Sequence, residues 1–157
     1  MNTAHDFTLK TIDGKDKKLS DYQGKVLLLV NVASRCGFTP QYKGLEELHR
    51  AWKEKGVCVL GIPCNQFGEQ EPGTEAEIQT FCSTTYDVTF DMFSKVDVNG
   101  ETAHPLYRWL TSEGGGEIKW NFNKFLVGKD GRYITRFGST TAPDSKKLLE
   151  ALAGAVG

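Results

Sequence analysis

A chain of 157 residues is the size of one domain, long enough to bury a real core without disulfides, and we read residues 1–157 as a single domain. Its 19 Lys and Arg against 20 Asp and Glu give a formal net charge of −1 with the signs interleaved. That balance excludes a basic nucleic-acid surface and a membrane-docking patch. No apolar run approaches the roughly 20 residues of a membrane span. The polar start Met1-Asn2-Thr3-Ala4-His5-Asp6 does not read as a signal or transit peptide.

In chain order, Phe7-Thr8-Leu9 and Lys18-Leu19-Ser20 flank Asp13-Gly14, a hairpin signal. Val26 to Val32 is nearly all apolar, as expected of a central strand covered on both faces. Leu45, Leu48 and Trp52 recur at helical spacing, and Val57-Cys58-Val59-Leu60-Gly61-Ile62 reads as a second buried strand. Strand, helix, strand is a βαβ unit with parallel strands. Pro72-Gly73-Thr74-Glu75-Ala76-Glu77 opens another helix, with Thr74 and Glu77 as a capping box and Ile78, Phe81 and Cys82 as its apolar stripe. Thr84, Thr85 and Asp87 are weak helix formers, so its end is expected to fray.

A helix from about Pro105 carries Leu106, Trp109 and Leu110, and Gly114-Gly115-Gly116 reads as a flexible loop. Phe125-Leu126-Val127, Lys129-Asp130-Gly131 and Tyr133-Ile134-Thr135 read as a β-hairpin. Leu148, Leu149 and Leu152 mark a C-terminal helix. A βαβ half followed by a ββα half is a thioredoxin-like α/β arrangement: a central mixed sheet flanked by helices, with an N-terminal hairpin.

The four cysteines are Cys36, Cys58, Cys64 and Cys82. They form no Cys-x-x-Cys pair and have no secretory context, so reduced cytoplasmic thiols are expected, with neither zinc nor a cofactor. Cys36 follows the carboxyl end of the first central strand, where sites gather in open α/β sheets. The helix after it can aim free N–H groups and a positive dipole end at the sulfur, which favours thiolate. A buried structural cysteine is the alternative at that position. Cys58 reads as core. His5, His49 and His104 show no triad or metal spacing; they read as a surface residue, a helix-surface residue and a cap or loop residue.

Three segments decide between these readings. Asn31-Val32-Ala33-Ser34-Arg35-Cys36-Gly37-Phe38-Thr39 resembles the active-site segment of the glutathione peroxidase superfamily. Pro63-Cys64-Asn65-Gln66-Phe67-Gly68-Glu69-Gln70-Glu71-Pro72-Gly73 and Trp120-Asn121-Phe122-Asn123-Lys124-Phe125 resemble its second and third signatures. The resemblance runs over nearly the whole chain. It implies a thioredoxin-like fold and reduction of hydroperoxides by a chalcogen nucleophile, here Cys36 where many members carry selenocysteine.

The resemblance also places Gln70, Trp120 and Asn121 around Cys36. The indole N–H and the two amides donate hydrogen bonds without carrying charge. Taken singly, Trp120 would read as a core aromatic, Gln70 as a solvated loop residue and Asn121 as a turn residue. Cys82 stands where the cysteine-dependent branch has its resolving cysteine, and that branch usually draws electrons from thioredoxin-type proteins rather than glutathione. Its other reading is an inert thiol on a helix stripe. Cys64 is a possible secondary thiol, read as structural.

The expected activity is therefore a thiol peroxidase for hydrogen peroxide and organic or lipid hydroperoxides, passing through a Cys36 sulfenic acid. The alternatives are a glutathione-dependent peroxidase and a peroxide sensor relaying oxidation to a partner protein. Position 39 is Thr, so direct dithiol exchange is disfavoured. The short glycine-rich loop between Leu110 and Trp120, where tetrameric relatives carry a longer insertion, suggests a monomer or weak dimer.

Overall fold

The computed structural model describes residues 2–157; Met1, the first residue of the polar start, lies outside them. Strands β1 (Thr8–Lys10) and β2 (Asp16–Lys18) form a separate antiparallel hairpin. The main sheet contains β3 (Val26–Val32), β4 (Val57–Pro63), β5 (Asp91–Met92), β6 (Lys124–Val127) and β7 (Tyr133–Phe137), in the order β5-β4-β3-β6-β7. The helices are α1 (Gln41–Trp52), α2 (Glu75–Tyr86), α3 (Pro105–Glu113) and α4 (Lys146–Val156). β3 pairs in parallel with β4 and antiparallel with β6. This is the thioredoxin-like mixed sheet that the order of the elements implies.

Alternation along β3 divides the core in two. Val26, Leu28, Val30 and Val32 face Tyr42, Leu45 and Leu48 of α1, Ile78 and Cys82 of α2, and Leu148 and Leu152 of α4. Leu27 and Leu29 face Leu9 and Leu19 near the hairpin and Leu106, Tyr107 and Leu110 of α3. Both faces of the strand are covered, so it carries no polar alternation. Each fully buried Leu or Val contributes about 1.5–3 kcal/mol. The rigid end of β3 is what fixes the chain entering the Cys36 turn.

Helix signals in the sequence are met at several ends. Thr74 accepts from the Glu77 N–H and Glu77 reaches back to the Thr74 N–H, so the capping box forms. Pro105 occupies the first turn of α3, and His104 caps it by accepting from the Leu106 N–H at 3.1 Å.

Several local expectations need correction. Leu19 and Ser20 leave the hairpin for a 3₁₀ turn, because β2 ends at Lys18 and Leu19 turns into the core. The two-residue strand β5 is an addition: it pairs with Leu60 and Gly61 of β4. A Cβ on Gly61 would lie 2.5 Å from the Met92 sulfur, so the glycine lets the Met92 side chain pack against β4 as it does. Cys58 is half-buried rather than core. His49 is not a free surface residue: it is half-buried and its Nδ1 accepts from the Val59 N–H at 3.2 Å, joining α1 to β4. His5 is half-buried too, its Nε2 shut away from solvent. At the end of α2 the Arg50 guanidinium donates to the Asp87 carbonyl at 3.1 Å and to its carboxylate at 3.2 Å, an exposed contact that leaves the expected fraying open. In the Gly114–Gly116 loop Arg136 donates to the Gly116 carbonyl at 2.6 Å, which leaves its expected flexibility untouched.

Candidate active site

β3 ends at Val32 and the chain turns before α1, placing Cys36 in the turn at 7% exposure. Thr39 closes that turn. Its hydroxyl accepts from the Cys36 N–H at 2.9 Å and donates to the Ala33 carbonyl at 2.7 Å. The Phe38 N–H then points at the sulfur, 3.3 Å from Cys36 Sγ. Thr39 entered the sequence reading only as a missing cysteine, whereas its structural task is to hold the nucleophile turn.

The second segment, after β4, is bound to the first by its backbone and by a carboxyl group. The Arg35 N–H donates to the Gln70 carbonyl at 3.0 Å. The Ser34 N–H donates to Glu71 Oε1 at 3.1 Å, and Glu71 is 1% exposed. Burial pushes the Glu71 carboxyl above the ordinary carboxylate range, partly offset by the bonds from Ser34. Glu69, just before Gln70, has φ +52°, in the left-handed region.

The third segment, before β6, brings Trp120 and Asn121. Asn121 is fully buried, and its Nδ2 donates to Gln70 Oε1 at 3.0 Å. The Trp120 carbonyl accepts from Asn31 Nδ2 at 3.1 Å and Asn123 Nδ2 at 3.0 Å. Its half-buried ring packs 6.0 Å from Phe67, centroid to centroid. Phe122 has φ +61° while fully buried. Non-glycine residues in the left-handed region thus adjoin both Gln70 and Asn121, a cost of order 1–3 kcal/mol each that concentrates at functional sites.

The loops after β3 and β4 and the loop before β6 are thus joined by hydrogen bonds; they carry Cys36, then Gln70, then Trp120 and Asn121. The Cys36 sulfur takes its hydrogen bond from the Phe38 backbone rather than from these three side chains. The four cysteines are free thiols. Cys82 is 2% exposed on the inner face of α2, in the same core cluster as Cys36 and Tyr42. Burial pushes its thiol up to about 11. Cys64 belongs to the opposite core face, donates to Gln66 Oε1 at 3.5 Å and is also pushed up to about 11 by burial.

Two residues near the site escaped sequence reasoning. Lys124 is fully buried, and Ser139 donates from Oγ to the Asn121 carbonyl. A lysine directly before the apolar run Phe125-Leu126-Val127 was the available signal for the first; nothing in the sequence marks the second. Among the described residues no group of three or more His, Cys, Asp or Glu could hold a metal ion, and no helix is long and apolar enough to cross a membrane.

Comparison with known proteins gives concordant results. The family model for glutathione peroxidase matches residues 4–111. The hydroperoxy fatty acid reductase gpx1 of Synechocystis sp. is 52% identical over 153 residues, covering 91% of this chain and 90% of its own. The thioredoxin/glutathione peroxidase BtuE of Escherichia coli K12 is 46% identical over 168 residues, covering 92% of each chain. The crystal structure of Trgpx in its apo form superposes with a TM-score of 0.81 at 42% identity, over 99% of this chain and 95% of that one. By its matched model, its relatives and its fold, this chain belongs to the glutathione peroxidase family of peroxidases.

Proposed function

We propose that this chain reduces hydrogen peroxide and organic or lipid hydroperoxides through Cys36, resolves the product with Cys82 and is recycled by a thioredoxin-type protein. The observation that carries the reading is the Cys36 turn. Its sulfur accepts a backbone N–H at 3.3 Å, and the next residue in the chain toward β3, Arg35, is bonded through its N–H to the carbonyl of Gln70, which is itself linked to Asn121. The thiolate attacks one peroxide oxygen and the O–O bond breaks. Cys36 becomes a sulfenic acid, and the other oxygen leaves as alkoxide or hydroxide and takes up a proton. Donors from Gln70, Trp120 and Asn121 stabilise the charge on the leaving oxygen.

Cys82 then attacks the Cys36 sulfenic sulfur. A Cys36–Cys82 disulfide forms and water departs, carrying off the hydroxyl oxygen and the thiol proton. This requires the two Cα atoms to come within about 7 Å. Cys82 is packed inside the core, so the segment 75–88 unwinds to deliver it. A reductant dithiol breaks the disulfide and returns both thiols. The hydroperoxy fatty acid reductase of Synechocystis supports fatty-acid hydroperoxides as substrates, and the thioredoxin/glutathione peroxidase of E. coli is consistent with either thiol reductant. The protein acts as one domain in the cytoplasm, without a cofactor, as a monomer or weak dimer whose open site admits both bulky substrates and a reducing protein.

The burial of Cys82 favours one rival, in which an external thiol such as glutathione resolves Cys36 directly. NADPH consumption separates the two, measured with thioredoxin and thioredoxin reductase against glutathione and its reductase, for wild type and Cys82→Ser. Thioredoxin-driven turnover that collapses in the variant is the expected result. Equal turnover of both proteins, driven by glutathione, would overturn the resolving role.

A further inference from the structure

Of the three segments of the glutathione peroxidase site, the Cys36 turn and the Asn121 loop have supports that meet at one buried amine. Lys124, the first residue of β6, has no exposed surface. Its Nζ lies 2.6 Å from Gln41 Oε1, 2.6 Å from the Thr141 carbonyl and 3.4 Å from the Ser139 carbonyl. An ammonium has three N–H donors, and three acceptors surround it. All three are neutral, and burial is the cause that pulls the amine down to about 7. An amine buried among neutral oxygens is costly to desolvate, and an apolar side chain of equal length would fill the same space more cheaply. The position therefore calls for an explanation other than packing.

The hydrogen bonds lead to one. On one side, Gln41 opens α1: its N–H donates to the Phe38 carbonyl at 2.8 Å, and the Phe38 N–H meets Cys36 Sγ. On the other side, Gln41 Nε2 donates to the Ser139 carbonyl at 2.8 Å. Ser139 Oγ donates to the Asn121 carbonyl and accepts from Asn123 Nδ2 at 3.1 Å, and Asn123 Nδ2 also holds the Trp120 carbonyl. Lys124 thus clamps the start of α1 to the segment after β7, and that segment carries the backbone of Asn121.

We infer that Lys124 is a positioning residue for the peroxidase reaction: it sets the placement of Asn121 relative to Cys36 through Gln41 and Ser139. The inference rests on Asn121 acting at the site, as proposed above. A displacement of about 1 Å at such a site costs up to about 100-fold in rate.

The test is the second-order rate of Cys36 oxidation by hydrogen peroxide in single turnover, for wild type, Lys124→Met, Asn121→Ala and the double variant, with thermal unfolding of each. Lys124→Met should slow oxidation about 10- to 100-fold. The double variant should oxidise no more slowly than Asn121→Ala alone. An unchanged rate in Lys124→Met, or the same fold-loss in both backgrounds, would overturn the inference, because a general structural defect acts whether or not Asn121 is present. If Asn121→Ala alone oxidises at the wild-type rate, the assignment of Asn121 fails, and the inference falls with it. Should Lys124→Met not fold, Ser139→Ala carries the same comparison: its loss must vanish in the Asn121→Ala background, and a loss that persists there overturns the inference.

Discussion

The Asn121 side-chain amide donates to Gln70 Oε1 at 3.0 Å, joining two loops whose residues lie 51 positions apart. The bond does more than connect. With its oxygen engaged, Gln70 has its NH₂ group left to donate, and under the proposed function that is the end that serves the sulfur and the leaving oxygen. Gln70→Ala and Asn121→Ala should each lower kcat/KM for hydrogen peroxide by about 10- to 1,000-fold, the range for loss of one preorganised donor. Gln70→Glu is the sharper test. A carboxylate can still accept from Asn121, yet it presents an acceptor and a negative charge where a donor is needed. It should be at least as impaired as Gln70→Ala; near-normal turnover would mean that Gln70 only props the loop.

Gly68 and Trp120 constrain each other. Gly68 has φ +65°, and a Cβ there would stand 3.0 Å from Trp120 Cη2. Gly68→Ala therefore incurs backbone strain and pushes the indole at once. We expect a loss of about 1–3 kcal/mol in stability by denaturant unfolding. A shift of the tryptophan emission and slower Cys36 oxidation should accompany it. Wild-type stability and emission would show that the loop yields without moving the ring.

The pH dependence of Cys82 follows from its burial. Its thiol is held near 11, against an ordinary value of 9.0 in the unfolded chain. The folded state therefore keeps its proton where the unfolded state loses it. This contribution to stability is fully present below about 9 and is lost as pH rises toward 11. Wild type should lose stability over that window faster than Cys82→Ala. At pH 8 the reduced thiol should react with iodoacetamide about 100-fold more slowly than in the unfolded chain, since two pKa units cut the thiolate fraction by that factor. Mass-spectrometric alkylation rates give the answer directly.

The sequence made legible what local rules govern. Val26–Val32 could only be a doubly covered strand, Thr74 and Glu77 cap α2 as their spacing requires, and Lys129-Asp130-Gly131 turns between β6 and β7. The site residues were legible only through the three resembling segments, since no local rule distinguishes Asn121 from an ordinary turn residue. What stayed hidden depends on partners distant in the chain. His49 meets Val59, and Lys124 meets Gln41, Ser139 and Thr141, through bonds that no periodicity encodes. The weak helix formers at the end of α2 were read correctly as residue types, but the tether from Arg50 was invisible, because it reaches across from α1.

That tether bears on the resolving step. Glu46 and Arg50 lie one turn apart on α1 and bond each other. Glu46 also accepts from the Thr89 N–H at 2.7 Å, and Arg50 holds Asp87, which ends α2 at φ +52°. Burial alone would raise the Glu46 carboxyl, but the bonds from Thr89 and Arg50 outweigh it and hold it below the ordinary carboxylate range. Its share of stability is therefore present above the ordinary carboxylate pKa and is lost as acid protonates the folded form. The Arg50–Asp87 pair is exposed and contributes at most about 1 kcal/mol. If α2 must unwind from this end to bring Cys82 to Cys36, that small sum acts on the rate. Arg50→Ala should speed disulfide formation after a peroxide pulse by up to about fivefold, the rate equivalent of 1 kcal/mol. Cys36 oxidation itself should be unchanged, and global stability only slightly lower. Quenched-flow trapping of free thiols resolves the two steps. A disulfide that forms no faster in the variant would mean that α2 opens from its Thr74 end, or that the opening lies off the slow step.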